Sequence, residues 1–525
     1  MTARPTTHHA IDHQRAQHSP DDAPPRSIPP FARLPVTVIM GITGTILLLR
    51  ADRYDYFGDE LYFLAAGRRP SLAYPDQGAL VPLLARLSDT LAPGSLVALR
   101  LPAILVSVLA IAVTAALARE FGGGRDAQVL AALAYATCPF LLSQAASLST
   151  FAFDATLSAA LVWLLVRWIR TRRDRLLLSA GVLVAVDLQV KWLVLVLLAG
   201  LAAGIVVTGP RTVLRRPLLW VAVAGVAISA TPGLLWQARH GWPQLAMGGV
   251  IRDEQGSATG GAAGLLPQHA LLLGAFGALL FCCGAWFLVR HSTLRPYRLL
   301  AVALAVQIAF ILTTGSRPYY LAAFFPAVIA VGAVGFFART RSRWPTLVAS
   351  AGIALATAIA VGAVLALPVA VTEPTTTSGQ LFTRLRLNGT TGWEHLRDAA
   401  EEAYQSVDSA QRARTVIVTS TYWQAGALDY SPGRDLPAVY SPNRGFAPFG
   451  PPPETSTTVL YVAPTTAEIT LRRFFSDVEP LVRFDDPLGF PGIDRGVTVW
   501  RCDNRRRSWA ESWPALTTLV VDKHL

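Results

Sequence analysis

The chain carries a succession of apolar runs of about 15–25 residues between positions 34 and 368, and nothing else in it limits the possible folds as much. A helix rises about 1.5 Å per residue, so runs of this length match a hydrocarbon layer about 30 Å thick. Inside lipid each backbone N–H must find its partner within the segment, which makes such runs helical. The spans read as roughly 35–50, 96–117, 127–147, 153–169, 176–188, 191–208, 218–236, 263–289, 299–314, 319–337 and 346–368, eleven in all. The weak stretch is 176–208, which must hold two short spans around a recessed polar turn, "DLQVK" (187–191). Composition agrees: 52% of the 525 residues are hydrophobic and 15% charged, against about 25% charged in soluble domains. The expected fold class is a polytopic α-helical membrane protein.

The formal net charge of +12 does not point to nucleic acid. Positive charge sits in short loops between apolar runs: Arg170, Arg172, Arg173 and Arg175; Arg211, Arg215 and Arg216; Arg290, Arg295 and Arg298; Arg339, Arg341 and Arg343. No aromatics are arranged among them to stack bases. This is the positive-inside pattern. It puts these loops, "REFGGGR" (119–125) and the N-terminus in the cytoplasm of a multi-pass plasma-membrane protein. An odd count then leaves the C-terminal part outside. Three regions follow: a polar, disordered cytoplasmic tail (1–33), a membrane domain (34–370) with a long outer loop (51–95), and an extracytoplasmic domain (371–525). In the last region β-rich runs at 415–421, 457–463 and 496–502 alternate with helix-like stretches at 392–412 and 465–476, which suits a small α/β domain, three layers deep. Four cysteines are too few for a disulfide framework.

The outer loop opens with "DYFGDELYFLAAG" (55–67). A surface helix with Asp59 and Glu60 in its first turn fits this stretch. Acids there favour the helix N-terminus, yet carboxylates at a membrane boundary are costly unless paired or used. A general base or a ligand for a hard cation is the functional reading. Asp55 is a weaker candidate, lying before Gly58. A second acid, Asp76, stands in "AYPDQGALVPLL". Only two of the 46 Lys and Arg residues are Lys, at 191 and 523. Lys191 follows an outer turn, either as a snorkelling anchor or as a point charge for a phosphate. Asp154 opens a span on the same side, as an N-cap or a site carboxylate.

With these motifs on the page the chain resembles the polyprenyl-phosphate-sugar-dependent glycosyltransferases of the GT-C fold. The branch is the bacterial one of glycosyltransferase family 39, related to protein O-mannosyltransferases and the lipid A aminoarabinose transferase. The resemblance covers nearly everything after residue 35. It rests on "YFGDELYFLAAGR" (56–68), "YPDQGALVPLLAR" (74–86), "DLQVKW" (187–192), "LLWQARHGWPQL" (234–245), "SRPYYLAAFFPA" (316–327) and the outer segment 422–452. Departures are "DQGAL" (76–80) where many relatives have "DQPPL", and "YWQAGAL" (422–428) where they have "NYGQAGAL".

The resemblance implies a hexosyl- or pentosyltransferase taking its sugar from a polyprenyl phosphate in the bilayer. The acceptor would be an extracytoplasmic lipid, glycan or protein. Asp59 matches the family's loop acid, hence a catalytic base with Glu60 beside it. Asp76 corresponds to a metal-binding acid, and Gln77 to a phosphate-contacting residue that is Lys in the aminoarabinose transferase. Lys191 and Arg317 are candidates to hold the departing phosphate, and Tyr319 to bind substrate. His240 in "RHGWP" is a candidate to complete a divalent metal site; a lone His in a Trp-rich loop also serves for packing. "SPNRGF" (441–446) is either a lid or a surface loop. The rival classes are a lipid or sugar transporter, which calls for internal repeats and mid-membrane charges, and a non-catalytic envelope scaffold.

Overall fold

Each of the eleven apolar runs is helical in a computed structural model, which describes residues 28–259, 264–339, 343–389 and 392–520. Residues 1–27 of the expected tail, Arg341 and Lys523 lie outside that set. Six helices are long and apolar enough to cross a membrane: Leu96–Glu120, Thr150–Thr171, Pro217–Arg239, Leu265–Arg290, Pro318–Ala338 and Thr346–Ala366. The run at 127–147 is a broken pair, Arg125–Ala136 and Pro139–Ala145, bent by 54°. Pro139 explains the break, since it lacks an N–H and disfavours helix at the preceding residue. Arg33–Leu49, Arg175–Leu188, Val194–Val207 and Leu299–Thr314 have 17, 14, 14 and 16 residues. The protein is therefore a multi-pass membrane protein, and the full count of eleven rests on these four short helices.

The outer loop holds two helices, Gly58–Arg68 and Leu80–Leu91, with Asp59 and Glu60 in the first turn of the first. A helix lying along the lipid surface was the expectation. Instead Leu61 through Ala66 are almost wholly buried. The outer-domain helix Tyr422–Asp429 covers one side of them and Leu80–Leu91 another. A single core runs from Leu61, Phe63 and Val81 of the loop, through Leu99 and Phe153 of the bundle, to Trp393, Ile417 and Leu460 of the C-terminal domain.

The outer domain is built on five strands: β1 Thr415–Thr419, β2 Val439–Tyr440, β3 Thr458–Pro464, β4 Phe475–Phe484 and β5 Val497–Arg505. Their order is β2-β1-β3-β5-β4, parallel across β2, β1 and β3 and antiparallel across β3, β5 and β4. Side chains alternate across the sheet as a strand requires. Ile417, Leu460, Val462 and Val499 join the shared core with Trp393, while Val416, Val418, Tyr461 and Trp500 pack on Trp509 and Trp513. That makes three layers. The helix-like stretch 465–476 is mostly not helix: a short helix, Glu468–Leu471, precedes β4. β4 is an edge strand with a register shift between Pro480 and Val482; its exposed charges and its Pro mask the strand pattern, as is usual at sheet edges.

Candidate functional site

The two acids of the opening stretch have different partners. Glu60 is fully buried and so is Arg100. Nε of Arg100 donates to Glu60 Oε1 at 3.0 Å and Nη2 to Oε2 at 2.7 Å. The backbone N–H of Leu148 adds 2.7 Å to Oε1 and that of Phe57 adds 2.9 Å to Oε2. Arg100 spends its remaining donors on the carbonyls of Ala51, Tyr54 and Asp55. Glu60 thus ties the loop to the helix Leu96–Glu120. Its acceptor positions are filled, a geometry that suits an anchor rather than a group acting beside Asp59.

Asp59, one position earlier, points the other way. Tyr422 Oη donates to its Oδ1 at 2.7 Å and Trp423 Nε1 at 2.9 Å. Among the described residues both donors use Oδ1. Burial and the Asp59 charge push the Tyr422 hydroxyl well above its usual range, so it stays a donor. Gly58 makes this contact feasible, since a Cβ there would lie 2.2 Å from the Trp423 ring.

Asp76 stands across the Tyr62–Tyr422 ring pair, whose centroids are 5.6 Å apart. Tyr62 Oη donates to Asp76 Oδ1 at 3.2 Å. Gly445 of the "SPNRGF" segment packs on that hydroxyl, where a Cβ would come within 2.1 Å. Burial raises the Asp76 carboxyl above its ordinary value; Lys191 pulls it back and Asp59 pushes it further up. The turn at "DLQVK" is pinned beneath this loop by Gly78 N–H to Val190 O (3.2 Å) and Leu80 N–H to Gln189 O (2.9 Å). Lys191 is thereby brought in: Nζ donates to the Asp76 carbonyl at 3.2 Å and lies 4.8 Å from the Phe151 ring centroid. The Gln77 amide beside it is 1% exposed, and among the described residues neither of its polar atoms makes a hydrogen bond of ordinary geometry. Asp154 is not an N-cap, since Ser149 fills that place. It is buried, and among the described residues one of its oxygens is unpartnered, as is one of Asp187, which accepts from Ser158 Oγ at 3.2 Å.

Tyr319 packs on Phe151 with centroids 4.5 Å apart, and Arg317 lies 6.0 Å from the Tyr319 ring centroid. Arg317 Nη2 donates to Glu254 Oε2 at 2.9 Å. The other oxygen of Glu254 accepts from Arg444, which also stacks 5.5 Å from the Tyr422 ring centroid. Burial lowers the Arg444 guanidinium, an effect opposed by Asp59 and Asp76. Glu254, Arg444, Tyr422 and Arg100 escaped sequence reasoning as site or anchor residues. "SPNRGF" held a partial signal for Arg444, and Asn443 beside it is fully buried, so this segment is no surface loop. Asp59, Asp76, Lys191, Arg317 and Tyr319 do converge where the bundle, the outer loop and the outer domain meet.

His240 does not join them. Its Nδ1 donates to the Trp236 carbonyl at 2.8 Å, its ring stacks on Trp236 at 4.0 Å, and it is exposed. Asp76 and His240 belong to no group of three metal-ligating side chains among the described residues. Among the described residues the one group of three metal-ligating side chains is His395, Asp486 and Asp494 of the outer domain, with ligand atoms within 4.8 Å of one another.

Residues 76–236 match the family model described as dolichyl-phosphate-mannose-protein mannosyltransferase. A search of curated protein sequences returns no match. Among solved structures the chain resembles ArnT from Cupriavidus metallidurans bound to undecaprenyl phosphate, with TM-score 0.62 and 15% identity over 89% of this chain and 97% of that one. It also resembles the arabinofuranosyltransferase AftD from Mycobacteria, with TM-score 0.50 and 15% identity over 91% of this chain and 40% of that one. At such identities the likeness is one of fold, and that fold is GT-C.

Proposed function

We propose that this GT-C chain is a membrane glycosyltransferase that moves a hexosyl or pentosyl group from a polyprenyl phosphate to an extracytoplasmic hydroxyl on a lipid, glycan or protein. The carrying observation is Asp59: a carboxylate held by Tyr422 and Trp423 through one oxygen, beside a wall that supplies Lys191, Arg317 and Arg444. The undecaprenyl phosphate held by the ArnT structure supports the choice of donor. Asp59 takes the proton of the acceptor hydroxyl as its oxygen attacks the sugar C1. The C1–O bond to phosphate breaks and its electron pair stays on the phosphate oxygen. Lys191 and the arginines offset the charge that gathers there, the kind of fixed electrostatic help that lowers such barriers most. Asp76 and Gln77 line the same wall, and Tyr319 backs it. A divalent ion expected from the family has better-grouped ligands at His395, Asp486 and Asp494 than at Asp76, and no step of the transfer calls on it. Mass spectrometry of envelope lipids, glycans and proteins, with the chain present and deleted, tests the reading. A sugar lost on deletion and restored by the wild-type chain supports it, and an unchanged glycan profile refutes it.

Lys191→Ala should lower donor use by roughly 10- to 100-fold in kcat/KM, the usual worth of a charged contact. Lys191→Arg should lose less, because charge is the main requirement. Wild-type transfer by Lys191→Ala at equal protein level would reduce the residue to an interfacial anchor.

The orientation follows from the Arg-rich loops: N-terminus in the cytoplasm, residues after 370 outside. A reporter active only outside should work when fused at residue 380 and fail at residue 295. Equal activity at both positions would overturn the parity.

A further inference from the structure

We infer that Glu254 is an internal anion that keeps the place of the donor's phosphate between Arg317 and Arg444, and is displaced when the lipid arrives. The inference rests on the transferase reading above. Glu254 lies on the helix Pro243–Thr259. Its two oxygens are shared between guanidiniums from two other elements, the segment before Pro318–Phe324 and the outer domain. Two guanidiniums meeting at one carboxylate suit a tetrahedral phosphate anion, and Glu254 takes only part of their donor set, with Arg444 Nε given to the Leu519 carbonyl. Among the described residues Glu254 is the one carboxylate in ion-pair contact with either arginine. Arg444 also stacks on Tyr422, whose hydroxyl holds Asp59. A phosphate between the two arginines would thus put its sugar linkage next to the proposed base. Exposure separates Glu254 from a structural tie. Its side chain is 28% exposed, whereas Glu60 and Arg100 are at 0%. A carboxylate already in touch with solvent leaves at little desolvation cost.

The placeholder has a second consequence. The donor phosphate is a diester; the product is a monoester and carries more negative charge at neutral pH. The arginines would grip the product harder than the donor, and Glu254 returning to them speeds release.

The test uses the full-length protein in detergent, with undecaprenyl phosphate as the probe and the uncharged polyprenol as control. Glu254→Gln and Glu254→Ala should each tighten undecaprenyl phosphate binding about tenfold, the value of one charged hydrogen bond, and leave polyprenol binding unchanged. Turnover should show a lower donor KM together with a lower kcat and stronger product inhibition. Arg444→Gln should weaken phosphate binding by about the same factor. If both Glu254 variants bind the phosphate no tighter than wild type, the bridge is only a structural tie and the inference fails. If the wild-type protein prefers undecaprenyl phosphate no more than polyprenol, the donor reading itself fails, and this inference with it.

Discussion

Asp59→Asn is expected to give a folded protein that transfers sugar about 100- to 10,000-fold more slowly than wild type, the usual loss when a general base is removed. The substitution is nearly isosteric. The Asn carbonyl oxygen can still accept from Tyr422 Oη and Trp423 Nε1, which now meet Asp59 Oδ1. The side chain lies at the second position of the helix Gly58–Arg68, not at its cap, so the helix start loses little. What disappears is the basicity of the second oxygen. The measurement is transfer from a labelled polyprenyl-phosphate sugar by the purified variant, with its thermal midpoint taken alongside. A variant that melts like wild type and turns over near the wild-type rate would sink the assignment and move it to Asp76.

Glu60→Gln and Arg100→Met should do the opposite. Each removes one partner of a fully buried ion pair and strands the other, a loss of about 3–5 kcal/mol. In Glu60→Gln an amide NH2 faces donors from Arg100 and the backbone, where no acceptor remains. Exchanging both partners for apolar residues should not restore stability, since Arg100 also serves the carbonyls of Ala51, Tyr54 and Asp55. Thermal and denaturant midpoints in detergent should fall for both single variants, while the activity of whatever remains folded falls far less than in Asp59→Asn. A Glu60→Gln protein with wild-type stability and no turnover would exchange the roles of the two acids.

This pair of neighbours shows how far the sequence reaches. The helix at Gly58–Arg68 and both acids in its first turn were legible, because those signals are local: a polar start and an apolar run. Asp76 and Lys191 stood out as an acid in a rigid loop and a rare Lys after a turn, and Arg317 came from the family's motifs alone. The family's motifs added the expectation that Asp59 is the base. The partner of Glu60 leaves no mark in its motif, because Arg100 lies 40 residues further on. His240 differs: Trp236 stands four residues before it in the same motif, but the stacking of the two rings shows only in the fold. Glu254 was invisible in a different way: its meaning comes from Arg444, 190 residues further on.

The sequence by itself determined the membrane-spanning character, the helical form of every apolar run and the sheet-bearing outer region. Lipid leaves a backbone no alternative to bonding with itself, and strand alternation is written in adjacent residues. Only the tertiary structure decided that Asp59 meets Tyr422 and Trp423 while Glu60 is locked to Arg100. Successive residues on a helix point about 100° apart, so Asp59 and Glu60 cannot face the same surroundings. What each meets was set by chain that folds back from elsewhere: Tyr422, 363 residues away, for Asp59, and Arg100, 40 residues away, for Glu60.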